Sequence, residues 1–391
     1  MTNAQKALVT LLRSSLTGES LGLPEGIDFE EIYSEAKRHH VTALAYDGAV
    51  KCGVDRSLEG MHSLVNGYCA EMLVSEKQLN TLKGLCDAFE QAGIDYLCLK
   101  GAHLKSLYPK PEMRRMNDAD ILIREEDFDR ARVVTEAQGF AVAEFGADHS
   151  KNFTCPSLYL ELHLRLIARN EFPVCAEYFG TGWDSANHVE GHRYELAAEA
   201  EYIFLLVHLL KHFISGGVGC RQVCDLWMFK KKNESLDMDF VRSELEQLGL
   251  AQFHENLTKL LGSWFEGAED DQKATIMGDY ILECGAWGTP RTNVMSAGMR
   301  TYSKVKSTKA VRSRTILTTI FPPRAALTGQ FPVLEKAPYL LPFCWVARCF
   351  RIVFFDRLKI TRRAEEFKLV SPKNMEAHER MMDYIGANSL K

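Results

Sequence analysis

Residues 96–140 read YLCLKGAHLKSLYPKPEMRRMNDADILIREEDFDRARVVTEAQGF, and the order of breaks in this stretch decides the fold. It begins inside the apolar run Asp95–Leu99 (DYLCL), which has the length of a strand. Lys100-Gly101 breaks the run, Ala102–Tyr108 has room for one or two helical turns, and Pro109 and Pro111 stop that helix. Ala119–Ile123 (ADILI) predicts a second strand. Glu125–Gln138 predicts a helix whose acidic first turn suits the helix dipole, with Gly139 in the usual place for a helix end.

Downstream, Phe140–Phe145 is strand-like, and Lys151–Cys155 with Ser157–Ile167 (SLYLELHLRLI) predicts a hairpin around Pro156. Its second arm alternates: Leu158, Leu160, Leu162 and Leu164 take one face, and Tyr159, Glu161, His163 and Arg165 take the other. Upstream, Ala4–Leu16, Phe29–Arg38, Thr42–Val50 and Met61–Ala92 are helical, and Gly93 ends the last of these. The fold class is therefore α+β. A small mixed-sheet core over 94–170 is flanked by an N-terminal helical region over 1–93, a helical domain over 171–290 and a basic C-terminal helical segment over 291–391.

The bulk composition agrees with a folded chain of two or three domains: 391 residues, 46% hydrophobic and 25% charged. The formal net charge of −5 says little by itself, but it is unevenly spread. Arg291–Lys368 carries sixteen Lys/Arg against four Asp/Glu, which leaves the rest of the chain near −17. Such a segment is either a set of solvated helix faces or a peripheral contact for an anionic surface. No aromatic-interleaved basic pattern points to nucleic acid. The eleven scattered cysteines include no C-x-x-C pair and look like reduced cysteines of a cytoplasmic protein. No uninterrupted apolar stretch reaches spanning length; Ala337–Phe355 comes nearest and is broken by Pro342, Arg348 and Arg351.

The chemistry is expected around Asp118-Ala119-Asp120. Alternate residues of a strand face the same way, so both carboxylates fall on one side of the sheet. Side by side they repel unless a cation lies between them, and Mg²⁺ takes carboxylate oxygens while leaving positions for phosphate. Glu161, on the polar face of a later strand, is the third carboxylate of a two-metal arrangement. Lys100, Gly101 and Arg114 sit where a strand-to-helix turn can meet phosphate oxygens. Asn-Asp-x-Asp is also a common turn composition, so the reading rests on the whole ordered set.

These residues resemble the core motif of an uncharacterised nucleotidyltransferase family of the polymerase-β-type superfamily. The shared pattern is an apolar strand ending in Leu-Lys-Gly, a short helix ending in Tyr-Pro, an Arg, Asp-x-Asp, and an acidic helix ending in Gly-Phe. Glu161-Leu162-His163 is similar to the family's later strand, and the stretch with His208, His212, Arg221 and Asp225 (VHLLKH…CRQVCDLW) resembles its helical part. The sequence departs from the superfamily's usual Gly-Ser turn, since it has Lys100-Gly101, and it carries Ala119 and Asn117 where an aliphatic and a Gly are common.

The resemblance implies metal-dependent transfer of a nucleoside monophosphate from an NTP to an unidentified acceptor. Asp118, Asp120 and Glu161 would bind Mg²⁺ or Mn²⁺, and Glu161 would help deprotonate the acceptor. Lys100, Gly101, Arg114, His163, His208, His212, Arg221 and Asp225 would line the nucleotide site. His163 is expected behind the ligands, because hard Mg²⁺ prefers oxygen. His208 and His212, four apart on one helix, have zinc-ligand spacing but no H-E-x-x-H pattern, which favours packing or nucleotide contact. Arg221 and Asp225 are one turn apart, as in an intrahelical pair. His103 and His149 are further candidates near the phosphates. The alternatives are a catalytically degenerate nucleotide-binding module and a polysaccharide- or membrane-associated accessory protein.

Overall fold

A computed structural model of the chain describes residues 1–58, 60–144, 150–169, 171–305 and 371–388, and, between 305 and 371, residues 313, 317, 321–324, 327, 331 and 333–355. Phe145, His149 and much of the basic stretch Arg291–Lys368 lie outside these residues.

The chain divides into two compact units: Met1–Phe213, Val218–Trp287 and Ile385–Lys391 form the first, and Ile214–Gly217 with Gly288–Tyr384 the second. The first opens with helices α1 (Asn3–Thr17), α2 (Phe29–Arg38), α3 (Thr42–Lys51) and α4 (Met61–Ala92). Local chemistry sets their ends. Thr2 and Gln5 close a capping box on α1, Asp28 caps α2, and Gly93, at φ 64°, takes the left-handed position that ends α4.

The sheet contains β1 (Tyr96–Leu99), β2 (Ala119–Ile123), β3 (Ala141–Glu144), β4 (Ser150–Thr154), β5 (Tyr159–His163), β6 (Ala186–Glu190) and β7 (Arg193–Leu196), in the order β3-β4-β5-β2-β1-β7-β6. Helix α5 (Lys100–Leu104) follows β1, and α6 (Phe128–Ala137) follows β2. β1 and β2 are antiparallel with Leu99 opposite Asp120; β2 and β5 are parallel with Asp120 opposite Glu161. Strand alternation then sorts the side chains. Ala119, Ile121, Ile123, Leu160 and Leu162 pack in one core with Leu82, Leu85 and Phe89 of α4 and Ala131 of α6. Asp120, Glu161 and His163 take the opposite face.

The sheet runs past residue 170, the expected limit of the core. β7 pairs in parallel with β1, and Tyr96 donates its backbone N–H to His192 O at 2.9 Å. The hairpin β6–β7 (ANHVE, RYEL) is mostly exposed on the sheet's edge, so its sequence carries no apolar alternation that would mark it as strand. Helix α7 (Pro173–Phe179) precedes the β6–β7 hairpin, and α8 (Ala198–Ser215), α9 (Cys220–Lys232), α10 (Met238–Gln247), α11 (Ala251–Leu261) and α12 (Gln272–Cys284) come after the sheet.

In the second unit the described helices include α13 (Pro290–Val305), Leu341–Phe355 and Pro372–Tyr384. Leu327, Leu334 and Cys344 form a small core there. Among the described residues no helix is long and apolar enough to cross a membrane.

Candidate active site

The parallel register of β2 and β5 sets Asp120 beside Glu161, and His163 is two residues further along the same face of β5. Both carboxylates and the imidazole meet. His163 Nε2 lies 2.8 Å from Asp120 Oδ1 and 3.3 Å from Glu161 Oε2. Lys100, which follows β1 and opens α5, brings its ammonium to 2.7 Å from the same Asp120 oxygen. Lys100 has a positive φ of 42°, a conformation that L residues other than Asn and Asp rarely adopt.

Among the described residues, Asp120, Glu161 and His163 are the one group of three with ligand atoms within 4.8 Å of one another. Two carboxylates and an imidazole suit a divalent cation, with the oxygens fitting Mg²⁺ and the mixed set also fitting Mn²⁺. His163, expected behind the ligands, brings its Nε2 within reach of both carboxylates. Asp118 is not in this close group, but it lines the same cleft beside Lys100.

The charges of the site respond to one another. Burial would raise the Asp120 carboxyl, but Lys100 and the His163 hydrogen bond outweigh it and hold it well below the usual carboxylate range. The His163 hydrogen bond likewise lowers Glu161 against the effect of burial. Burial and the neighbouring charge of Asp120 push Asp118 upward, over the opposing pull of Lys100. Burial works against the Lys100 ammonium, yet Asp120, Asp118 and Glu161 together raise its pKa. His163 is raised too: burial disfavours its charge, and the hydrogen bonds to Asp120 and Glu161 more than compensate.

Two cavities adjoin here and share Lys100, Asp118, His208 and His212. The first also takes in Asp120, Asn117, Arg114, Arg221, Asp225 and Trp287, and is open to solvent. The second lies on the Glu161 side, against Ile167, Phe172 and Lys211.

Several expectations change in this setting. Arg114 is no mobile cation. It is buried in a bidentate pair with Asp225, Nε to Oδ1 at 3.1 Å and Nη2 to Oδ2 at 2.9 Å, and Tyr108 Oη donates to Asp225 Oδ1 at 2.8 Å. Asp225 is thus held from the β1–β2 connection and makes no intrahelical ion pair with Arg221. Sequence spacing shows neighbours along a helix but not partners from another element. Gly101 serves this packing: a Cβ there would fall 2.6 Å from Arg114 Nη1 and 3.1 Å from Met116 Cγ.

Arg221 instead donates through Nη1 to Arg115 O at 2.9 Å, while its Nε is buried with no hydrogen-bond partner. Burial, with repulsion from Arg114, lowers the Arg221 pKa to about 10. His208 and His212 face the cleft with ring centroids 4.6 Å apart. Burial and the charge of Lys100 hold His208 far below its ordinary pKa, so it is neutral. Neither belongs to a three-residue metal group among the described residues. His103 turns away to Glu201 of α8, Nε2 to Oε2 at 3.5 Å, and lines neither cavity. His149 lies outside the described residues.

One cleft residue has no sequence signal at all. Trp287 lies on the rim of the first cavity and is 70% exposed, its ring edge-on to His40 with centroids 5.6 Å apart. His40 in turn lies 3.2 Å from the Asn117 side chain, next to Asp118.

No curated protein and no solved structure matches the chain. The profile of an uncharacterised nucleotidyltransferase family matches residues 25–266, which takes in the sheet, the carboxylate–histidine cluster and helices α8 and α9. Since that match spans more than half of the sequence, the chain belongs to this nucleotidyltransferase family.

Proposed function

We propose that the cleft binds a nucleoside triphosphate and transfers its nucleoside monophosphate to an acceptor hydroxyl, releasing pyrophosphate. The observation that carries this reading is the register of β2 and β5, which sets two carboxylates together beside a cleft lined with cations. Asp118, Asp120 and Glu161 would hold Mg²⁺ or Mn²⁺, which when bound neutralises phosphate charge and acidifies the attacking hydroxyl.

The chain's own residues do the rest. Lys100 borders both cavities, so its ammonium can pass from Asp120 to phosphate oxygens without leaving the cleft. The Arg221 Nε–H is a buried donor suited to an anionic oxygen. Arg114 and Asp225 brace the floor between them. Neutral His208 can share a hydrogen bond with phosphate without adding charge.

Glu161 faces the second cavity, where the acceptor hydroxyl would approach, and its lowered pKa keeps it ionised to receive that proton. The acceptor oxygen forms a bond to the α-phosphorus as the bond to the bridging oxygen breaks. Pyrophosphate leaves with that electron pair.

The test is binding of ATP, GTP, CTP and UTP with Mg²⁺ or Mn²⁺, with pyrophosphate release across an acceptor screen, for wild type and Asp118→Ala/Asp120→Ala. The double variant is expected to lose metal-dependent nucleotide binding by at least about 10-fold, a difference of roughly 1.4 kcal/mol, together with all pyrophosphate release. Unchanged Mg²⁺–ATP binding in the double variant sinks the assignment. Tight wild-type binding with no product for any acceptor instead favours a degenerate nucleotide-binding module.

A further inference from the structure

The four residues Gly285-Ala286-Trp287-Gly288 follow α12. Large aromatic side chains bury most of their area in folded proteins, so a Trp left 70% exposed on the rim of a cleft calls for a reason. Its neighbours show that the exposure is built in. Gly285, at φ 66°, takes a left-handed turn, and a Cβ there would fall 2.8 Å from Arg38 Cγ. Ala286 donates its backbone N–H to Arg38 O at 3.0 Å. Arg38 Nη1 reaches back to Glu283 O at 3.0 Å, tying α2 to the end of α12.

The segment also abuts the start of α9, where a Cβ on Gly219 would fall 3.1 Å from Ala286 N. Arg221 begins its side chain two residues later. Trp287 and Arg221 thus belong to segments that meet at the same helix start, and both line the first cavity with Lys100 and Asp118. On the other side the indole meets His40 edge-on. The cleft thus has cations in its depth and a largely exposed indole at its mouth.

We propose that Trp287 is the platform on which the base of the bound nucleotide stacks, with the triphosphate directed inward to Arg221 and Lys100. The proposal rests on the nucleotide reading of the cleft given above. With the backbone beside it anchored through Ala286 to Arg38 and its ring set against His40, the indole needs less ordering when the ligand arrives, so more of the stacking contribution appears as affinity. Stacking on an indole is available to every base, so Trp287 supplies grip on a planar ring and not a choice between bases.

The experiment compares ATP with inorganic tripolyphosphate, each with Mn²⁺, on the full chain carrying Trp, Ala or Phe at position 287. Wild type is expected to bind ATP more tightly than tripolyphosphate. Trp287→Ala is expected to lose roughly 5- to 100-fold in ATP affinity, the range of alanine substitution at stacking aromatics, and to keep its tripolyphosphate affinity. Trp287→Phe is expected to recover most of the loss. The proposal is overturned if Trp287→Ala binds ATP as wild type does, if both ligands weaken together, or if Phe does not restore ATP binding. If wild type binds neither ligand, the nucleotide reading itself falls, which is a different outcome from failure of Trp287 alone.

Discussion

At Asp118, burial and the charge of Asp120 act in the same direction, and both oppose the ionised carboxyl. Without metal, Asp118→Asn is therefore expected to raise the melting temperature at pH 7.5 by a few degrees. The sign follows from linkage: a carboxyl raised in the folded state takes its proton there first, so its penalty is present above the folded pKa and fades as pH falls through it. The gap between variant and wild type should then narrow in acid. A variant that melts below wild type at every pH contradicts this. The placement of the Asp-x-Asp pair and Lys100 beside the sheet was legible in the sequence because they stand at breaks between apolar runs, and that of Glu161 because alternation along its strand sets its face. Arg114 was legible as a cleft residue but not as Asp225's partner, since that contact joins residues 111 positions apart. Trp287 belongs to no pattern and could be found only once the chain was folded.

The helix α9 and the β1–β2 connection are joined through Asp225, which accepts from Arg114 twice and from Tyr108 once. Removing one side of such a buried pair leaves the other charge without compensation, which costs about 3–5 kcal/mol. Asp225→Ala is thus expected to destabilise the chain by that amount in urea unfolding. Arg132→Ala, which breaks the exposed pair with Glu136, should stay within about 0.5 kcal/mol. Equal effects would show that the Asp225 junction is not buried in solution. The strands β1, β2 and β5 could be read from sequence because each carries apolar residues between Gly, Pro or Asp breaks. The hairpin β6–β7 could not, because what places it is pairing with β1 and the contacts of His192 and Arg124 with Asp95, at 2.9 and 3.0 Å, and not an apolar face of its own.

Over the whole molecule, buried histidines should make the fold sensitive to acid. Burial, with repulsion from Arg221, lowers His40 to about 3, and burial near Lys230 lowers His254 to about 4. His39 and His208 are lowered as well, chiefly by burial. Below the ordinary value of 6.5 the unfolded chain takes protons that these folded sites refuse, so stability falls with pH until the folded values are reached. At pH 5, His40 and His254 each cost on the order of 2 kcal/mol, at 1.36 kcal/mol per unit of difference. Glu201, which burial raises to about 8, works the other way between 8 and 4.5 and offsets part of this. The melting temperature is expected to drop between pH 7 and pH 5, and His40→Asn with His254→Asn should flatten that slope. A flat wild-type profile would refute it. Lys100 has a last consequence at this scale. Because it brings positive charge from within the chain to Asp118, Asp120 and Glu161, the scaffold carries its own counterweight. Structural zinc modules collapse when their ion is withdrawn; here a chelator should silence the chemistry and leave the architecture standing.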